Sequence, residues 1–272
     1  MNNKMPIGVF DSGMGGLTVL KALRGLLDKE SFIYLGDTAR LPYGTKSPTT
    51  VQQYAVQMAK ALVERGIKAL VIACNTATTA ALPHLQAILS DIPVVGVVLP
   101  GALAAVSATS NQKIAVLATE TTIASKAYQN TINQQLPKAF VSARACSVLV
   151  ALAEEGMIDN RVAKEALSHY LSELKEEDTL LLGCTHFPVF KPLLTTLLPP
   201  TMTIVDSAEA TALFLQNELK NKGLDLNPID ARPSLNYLVT DSVARFQRVG
   251  EIFLGEPLER ASIELVDAYA PV

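Results

Sequence analysis

ALVIACNTATTA, residues 69–80, and TLLLGCTHFPVF, residues 179–190, share one layout. Each begins as a short aliphatic run, reaches a cysteine, adds two hydrogen-bonding residues, Asn75-Thr76 in one and Thr185-His186 in the other, and continues as a helical segment. A short apolar run bounded in this way reads as a strand buried on both faces, as in a parallel sheet. Each stretch is therefore a strand–turn–helix unit with its thiol at the carboxyl end of the strand. The two cysteines lie about 110 residues apart, as two related halves of one site would.

The same pattern extends outward. Ile7–Phe10, Phe32–Leu35, Ala69–Ala73, Val94–Val98, Lys113–Leu117, Thr179–Leu182, Thr203–Val205 and Leu235–Val239 read as strands. Thr49–Glu64, Thr76–Leu89, Thr121–Gln135, Asn160–Leu174 and Ala208–Lys220 carry helical period between them. Strands alternating with helices specify an α/β fold with mainly parallel sheet.

The chain of 272 residues is 49% hydrophobic and 18% charged, enough apolar sequence for one or two packed domains. A net charge of −3 gives no electrostatic reason for nucleic acid or an anionic membrane as partner, so a small-molecule ligand is expected. Apolar stretches such as Ala69–Cys74 and Ile92–Leu99 fall far short of the ~20 residues of a membrane helix. MNNKMPIGVF lacks the pattern of a signal peptide. Three cysteines without a CxxC pair suit a reducing compartment. The expectation is a soluble cytoplasmic protein.

In parallel α/β sheets, ligands bind beyond the carboxyl ends of the strands. Four polar clusters fall there: Asp11-Ser12-Gly13, then Gly36-Asp37-Thr38 with Pro42-Tyr43-Gly44, then Cys74-Asn75-Thr76, and Cys184-Thr185-His186. DSGMGG, residues 11–16, lacks the spacing of a phosphate loop and carries an acid that would repel phosphate. It reads as a tight turn needing glycine, with Asp11 free to orient an ammonium group or take a proton. Cys74 and Cys184, at the starts of helices, gain help toward the thiolate from the helix dipole. Alone, either could be a packed hydrophobe, and Cys184 with His186 could be half a metal site or a nucleophile with its base. Cys146 precedes an apolar run and reads as packing, and Glu154 and Glu155 as a solvated helix end. His84 and His169 lie in helical segments and read as packing or surface residues, which leaves no metal site. Two thiols around one substrate also fit proton transfer at carbon, one thiolate removing a proton and the other thiol delivering one to the opposite face.

FDSGMGGLTVL, YLGDTARLPYGTKS, IACNTATTAAL and LLGCTHFP, in this order from residue 10 to residue 188, resemble the signature segments of bacterial glutamate racemases, in the aspartate/glutamate racemase superfamily. The resemblance implies a cofactor-independent racemase that interconverts L- and D-glutamate for cell-wall peptidoglycan, and a homodimer. It implies two similar α/β domains with mainly parallel sheets, residues 1–97 plus 209–272 and residues 98–208, and an active site in the cleft between them. Cys74 would face the proton of the D-enantiomer, assisted by Asp11, and Cys184 that of the L-enantiomer, assisted by His186. Ser12, Tyr43, Gly44, Asn75, Thr76 and Thr185 would hold the substrate, with Asp37 and Glu154 as acidic positions linked to the site. Aspartate or another small acid is the alternative substrate within the superfamily. A Cys-His acyl-transfer enzyme is the alternative outside it.

Overall fold

A computed structural model describes residues 3–225 and 233–269. Ten strands stand among them: β1 Ile7–Asp11, β2 Phe32–Gly36, β3 Ala69–Ile72, β4 Val94–Gly96, β5 Lys113–Ala118, β6 Phe140–Ala145, β7 Thr179–Gly183, β8 Thr203–Asp206, β9 Leu235–Val239 and β10 Ile263–Leu265. They form two sheets, one in the order β10-β9-β2-β1-β3-β4 and one in the order β6-β5-β7-β8. Every pairing is parallel. The fold is α/β, with each strand return made by a helix.

The helices that position the site are α1 Leu17–Leu26, α2 Pro48–Val63, α3 Asn75–Ile88, α4 Val98–Ala108, α5 Glu120–Ala124, α6 Ala127–Gln135, α7 Val148–Glu154, α8 Arg161–Leu171, α9 Lys191–Leu197, α10 Ala208–Asn221 and α11 Val243–Leu254. Local chemistry starts several of them. Pro48 occupies the first turn of α2 while the Ser47 hydroxyl accepts from Thr50 N at 3.3 Å. Cys74 takes the same place on α3, its Sγ accepting from Ala77 N at 3.4 Å.

The central strands β1, β2, β3 and β7 are buried along their whole length, which is why continuous apolar runs betray them. One core packs α2 and α3 against the first sheet, through Met58, Leu62, Ala77 and Leu85. Another packs α4 and α6 against the second, through Ala102, Tyr128 and Leu181. A third runs between the sheets and holds Leu17, Leu152, Phe187 and Phe253. Strands of the first sheet come from residues 7–96 and 235–265 and those of the second from 113–206. The expected boundaries at 97/98 and 208/209 thus fall between strands of different sheets.

Four elements depart from the sequence reading. Thr121–Gln135 is two helices, α5 and α6, broken at Lys126 in the left-handed region with φ 55°. The strand expected at Val94–Val98 ends at Gly96 because Val98 already opens α4. β6 was not expected: FVSARA is a partly exposed edge strand carrying Arg144, and edge strands do not need a fully apolar run. β10, only three residues long, leaves no period to read.

Candidate active site

Sheet register brings the polar strand ends together. Phe10 pairs with Ile72, so Asp11 and Cys74 leave the first sheet side by side. Ala118 pairs with Gly183, so Thr119 and Cys184 leave the second sheet side by side. A single cavity receives both ends. Its walls are Ser12, Tyr43, Gly44, Cys74, Asn75 and Thr76 from one sheet's loops and Thr119, Val150, Glu154, Cys184, Thr185 and His186 from the other's, with Pro42 beside Tyr43. The cavity holds about 20 Å³, room for about one water. A ligand larger than a water does not fit in this arrangement.

The Cys74 wall is a thiol among hydroxyls and a carboxylate. Cys74 Sγ stands 3.7 Å from Ser12 Oγ and accepts from Ala77 N. Asp11, fully buried behind it, accepts from Gly13 N at 2.9 Å and from Thr185 Oγ1 at 3.3 Å. Burial raises the Asp11 carboxyl above its ordinary range, partly offset by the nearby His186. Burial and the Asp11 charge together push the Cys74 thiol up to about 12. The helix-start help expected from the sequence is present in the Ala77 N–H, and desolvation outweighs it. Cys74 rests as a protonated thiol.

The Cys184 wall carries a relay. His186 Nδ1 lies 3.9 Å from Cys184 Sγ, and Nε2 lies 3.0 Å from Glu154 Oε1. Arg245 stands 3.6 Å from the other Glu154 oxygen. Burial pulls His186 down, but the bonds to Cys184 and Glu154 win and raise it to about 10, so the ring is an imidazolium at neutral pH. Phe253 packs edge-on against it at 5.1 Å between centroids. Gly15 has to be glycine for the same reason: a Cβ there would collide with His186 Nδ1.

Glu154 corrects the reading of a solvated helix end. It closes α7 and is 5% exposed, because its partners His186 and Arg245 come from other elements that no local pattern reveals. Asp37 is also buried, yet it lies behind the cavity wall rather than in it. Its Oδ2 accepts from Arg40 Nε at 2.7 Å and from the Tyr43 hydroxyl, and its Oδ1 from Thr240 Oγ1 at 3.0 Å and the Tyr269 hydroxyl at 3.2 Å. Its acceptors are spent on holding Tyr43 rather than turned to the cavity. Thr119 was missed, although the strand-end rule applied to Lys113–Leu117 points to it. Cys146 is packed in the core. His84 and His169 are exposed, and among the described residues no three His, Cys, Asp or Glu side chains cluster for a metal.

Hydroxyls stitch the two walls together. Thr76 Oγ1 lies 2.9 Å from Thr119 Oγ1 and 3.3 Å from Thr122 Oγ1. Thr121 donates to the carbonyls of Gly44 at 2.9 Å and Lys46 at 3.0 Å, and Thr18 to that of Thr185 at 3.0 Å.

Two parallel α/β units that each deliver a thiol to one hydroxyl-lined cavity define an acid–base enzyme working in a cleft. A family model described as Asp/Glu/Hydantoin racemase matches residues 16–215, and the chain belongs to that family. It is 49% identical to a glutamate racemase from Geobacter metallireducens, over 93% of each chain. Its structure resembles a glutamate racemase isoform from Bacillus anthracis with a TM-score of 0.92 at 38% identity, over 98% of each chain. It also resembles a Francisella tularensis glutamate racemase in complex with D-glutamate, with a TM-score of 0.89 at 37% identity, over 99% of this chain and 100% of that one. No helix among the described residues is long and apolar enough to cross a membrane.

Proposed function

We infer that this protein is a glutamate racemase that interconverts L- and D-glutamate by two-base proton transfer, supplying D-glutamate for peptidoglycan. The observation that carries the mechanism is that Cys74 and Cys184, on separate sheets, line one cavity, while the glutamate racemases at 37–49% identity carry the substrate.

In the L-to-D direction Cys184, beside the imidazolium of His186, takes the Cα proton, and the thiol of Cys74 delivers its own proton to the opposite face. The reverse direction starts with the protons exchanged between the two thiols. Asp11 assists Cys74 and His186 assists Cys184. Ser12, Asn75, Thr76 and Thr185 supply donors to the substrate carboxylates, with Tyr43 and Gly44 completing that wall. Glu154 acts through His186 and Asp37 through Tyr43. The developing carbanion needs donors already in place and water excluded, and a cavity of about 20 Å³ leaves little room for water. Opening and closing is a movement of residues 1–97 plus 209–272 against residues 98–208. The three cysteines are free thiols, in keeping with a cytoplasmic enzyme. A homodimer completes the reading, and light scattering on the purified protein checks it.

L-glutamate incubated with the enzyme in heavy water, without added metal or pyridoxal phosphate, is expected to yield D-glutamate carrying deuterium at Cα. Formation of D-glutamate with its original hydrogen retained would overturn the two-base reading, and racemisation of aspartate in preference to glutamate would move the substrate assignment.

A further inference from the structure

The two ends of the Asn75 amide have different surroundings. Oδ1 accepts a hydrogen bond from the Tyr128 hydroxyl at 2.5 Å. Nδ2 is buried with no partner, one of two such side-chain atoms among the described residues. A buried donor left unpaired in the wall of a cavity points to a ligand that pairs with it. With Oδ1 tied to Tyr128, Nδ2 is the polar end of Asn75 left for the cavity it lines.

Tyr128 belongs to α6, on the opposite sheet's side of the cleft, and is 1% exposed. Its ring packs against Gly183, where a Cβ would stand 2.8 Å from Cε2, immediately before Cys184. The phenol donates its own proton to Asn75 Oδ1, and burial keeps that proton on the oxygen throughout the working pH range. A tyrosine hydroxyl that gives its bond to the amide oxygen fixes which way round the amide stands.

We propose that Tyr128 is a positioning residue for the substrate: it holds the Asn75 amide so that Nδ2 donates to a carboxylate of the bound amino acid. The bond joins α6 to the start of α3 across the cleft, so the donor is aimed only when the two units are together. The proposal rests on the racemase reading given above.

The test is Tyr128→Phe in the full-length enzyme, with racemisation kinetics and calorimetric titration of D-glutamate. KM and Kd are expected to rise about tenfold, the loss of one well-placed hydrogen bond, with kcat within about threefold of wild type. The Asn75→Ala/Tyr128→Phe double variant is expected to bind glutamate no more weakly than Asn75→Ala alone, an outcome that general loosening of the fold does not give. Unchanged KM in Tyr128→Phe, or additive losses in the double variant, would overturn the proposal. Should Tyr128→Phe fail to fold, Asn75→Asp keeps the Tyr128 bond and replaces the donor by an acceptor; wild-type affinity for glutamate in that variant would overturn it equally. A wild-type enzyme that does not racemise glutamate in the same assay defeats the functional reading instead, so the two failures are told apart.

Discussion

The walls around Cys74 and Cys184 are built alike and charged differently. Both thiols end a parallel strand and precede hydrogen-bonding residues. Cys74 faces the Asp11 carboxylate and is pushed up to about 12, whereas Cys184 faces a histidine raised to about 10 by Cys184 itself and by Glu154. The likeness in sequence therefore does not carry over to electrostatics. Racemisation needs one base and one acid at a time, and in the proposed mechanism unequal neighbours suit two identical side chains to opposite roles.

The largest expected effect comes from removing either thiol. Cys74→Ser and Cys184→Ser should each lose at least about 10³-fold in racemisation, within the range for losing a proton-transfer group. The two variants should also differ in kind. In heavy water Cys74→Ser is expected to exchange the Cα hydrogen of L-glutamate with retention and leave D-glutamate untouched, and Cys184→Ser the reverse. Mass spectrometry of each enantiomer reads this. Equal exchange of both enantiomers in either variant would break the assignment of faces.

Glu154→Gln probes the Cys184 wall alone. Without that carboxylate His186 loses a partner that holds its proton, and kcat is expected to fall about 10–100-fold, as when the orienting partner of a working side chain is lost. The alkaline limb of the kcat/KM profile, which reports the free enzyme, should move down from near 10 toward the ordinary histidine range. A reduced kcat with an unmoved limb would mean that Glu154 acts by shape and not through the proton on His186.

Glu154 also marks how far the sequence could be read. The strands that position the site were legible because parallel strands are continuously apolar, and the strand-end rule located both thiols, Asp11 and Asn75 from their own segments. Glu154 and Tyr128 were not legible as polar partners: each lies in a helix, and each matters through an atom contributed by a distant segment. Asp37 shows the converse. It stands in a signature segment, and its place behind Tyr43 depends on Thr240 and Tyr269, which come from the far end of the chain.

That contrast between two acids gives the next test. Asp37→Asn keeps one acceptor but removes the charge that holds Arg40 and Tyr43. Stability is expected to fall by about 1–3 kcal/mol, the scale for hydrogen bonds to a charged group, with kcat within about threefold of wild type and KM raised a few fold. Denaturant unfolding together with steady-state kinetics checks it. A collapse of kcat like that of Glu154→Gln would place Asp37 in the proton path.

The smallest effect is the stability of the resting protein in alkali, where the two walls separate by pH. His186 is raised from 6.5 to about 10 on folding, so its stabilisation is complete below 6.5 and is lost as pH rises through about 10. Cys74 is raised from 9.0 to about 12, so from pH 9 upward the folded protein keeps a proton that the unfolded chain has released, and stability falls again. Both groups act in the same direction in successive windows. The melting temperature is expected to drop by on the order of 5 °C between pH 7 and 9.5 and to go on falling from 9.5 to 11. His186→Asn should flatten mainly the first segment and Cys74→Ala mainly the second, with both acting between pH 9 and about 10, judged by slope and not by absolute stability. If one substitution flattened both segments equally, the two walls would titrate as a single coupled unit, and the division of labour between Cys74 and Cys184 would have to arise after substrate binds.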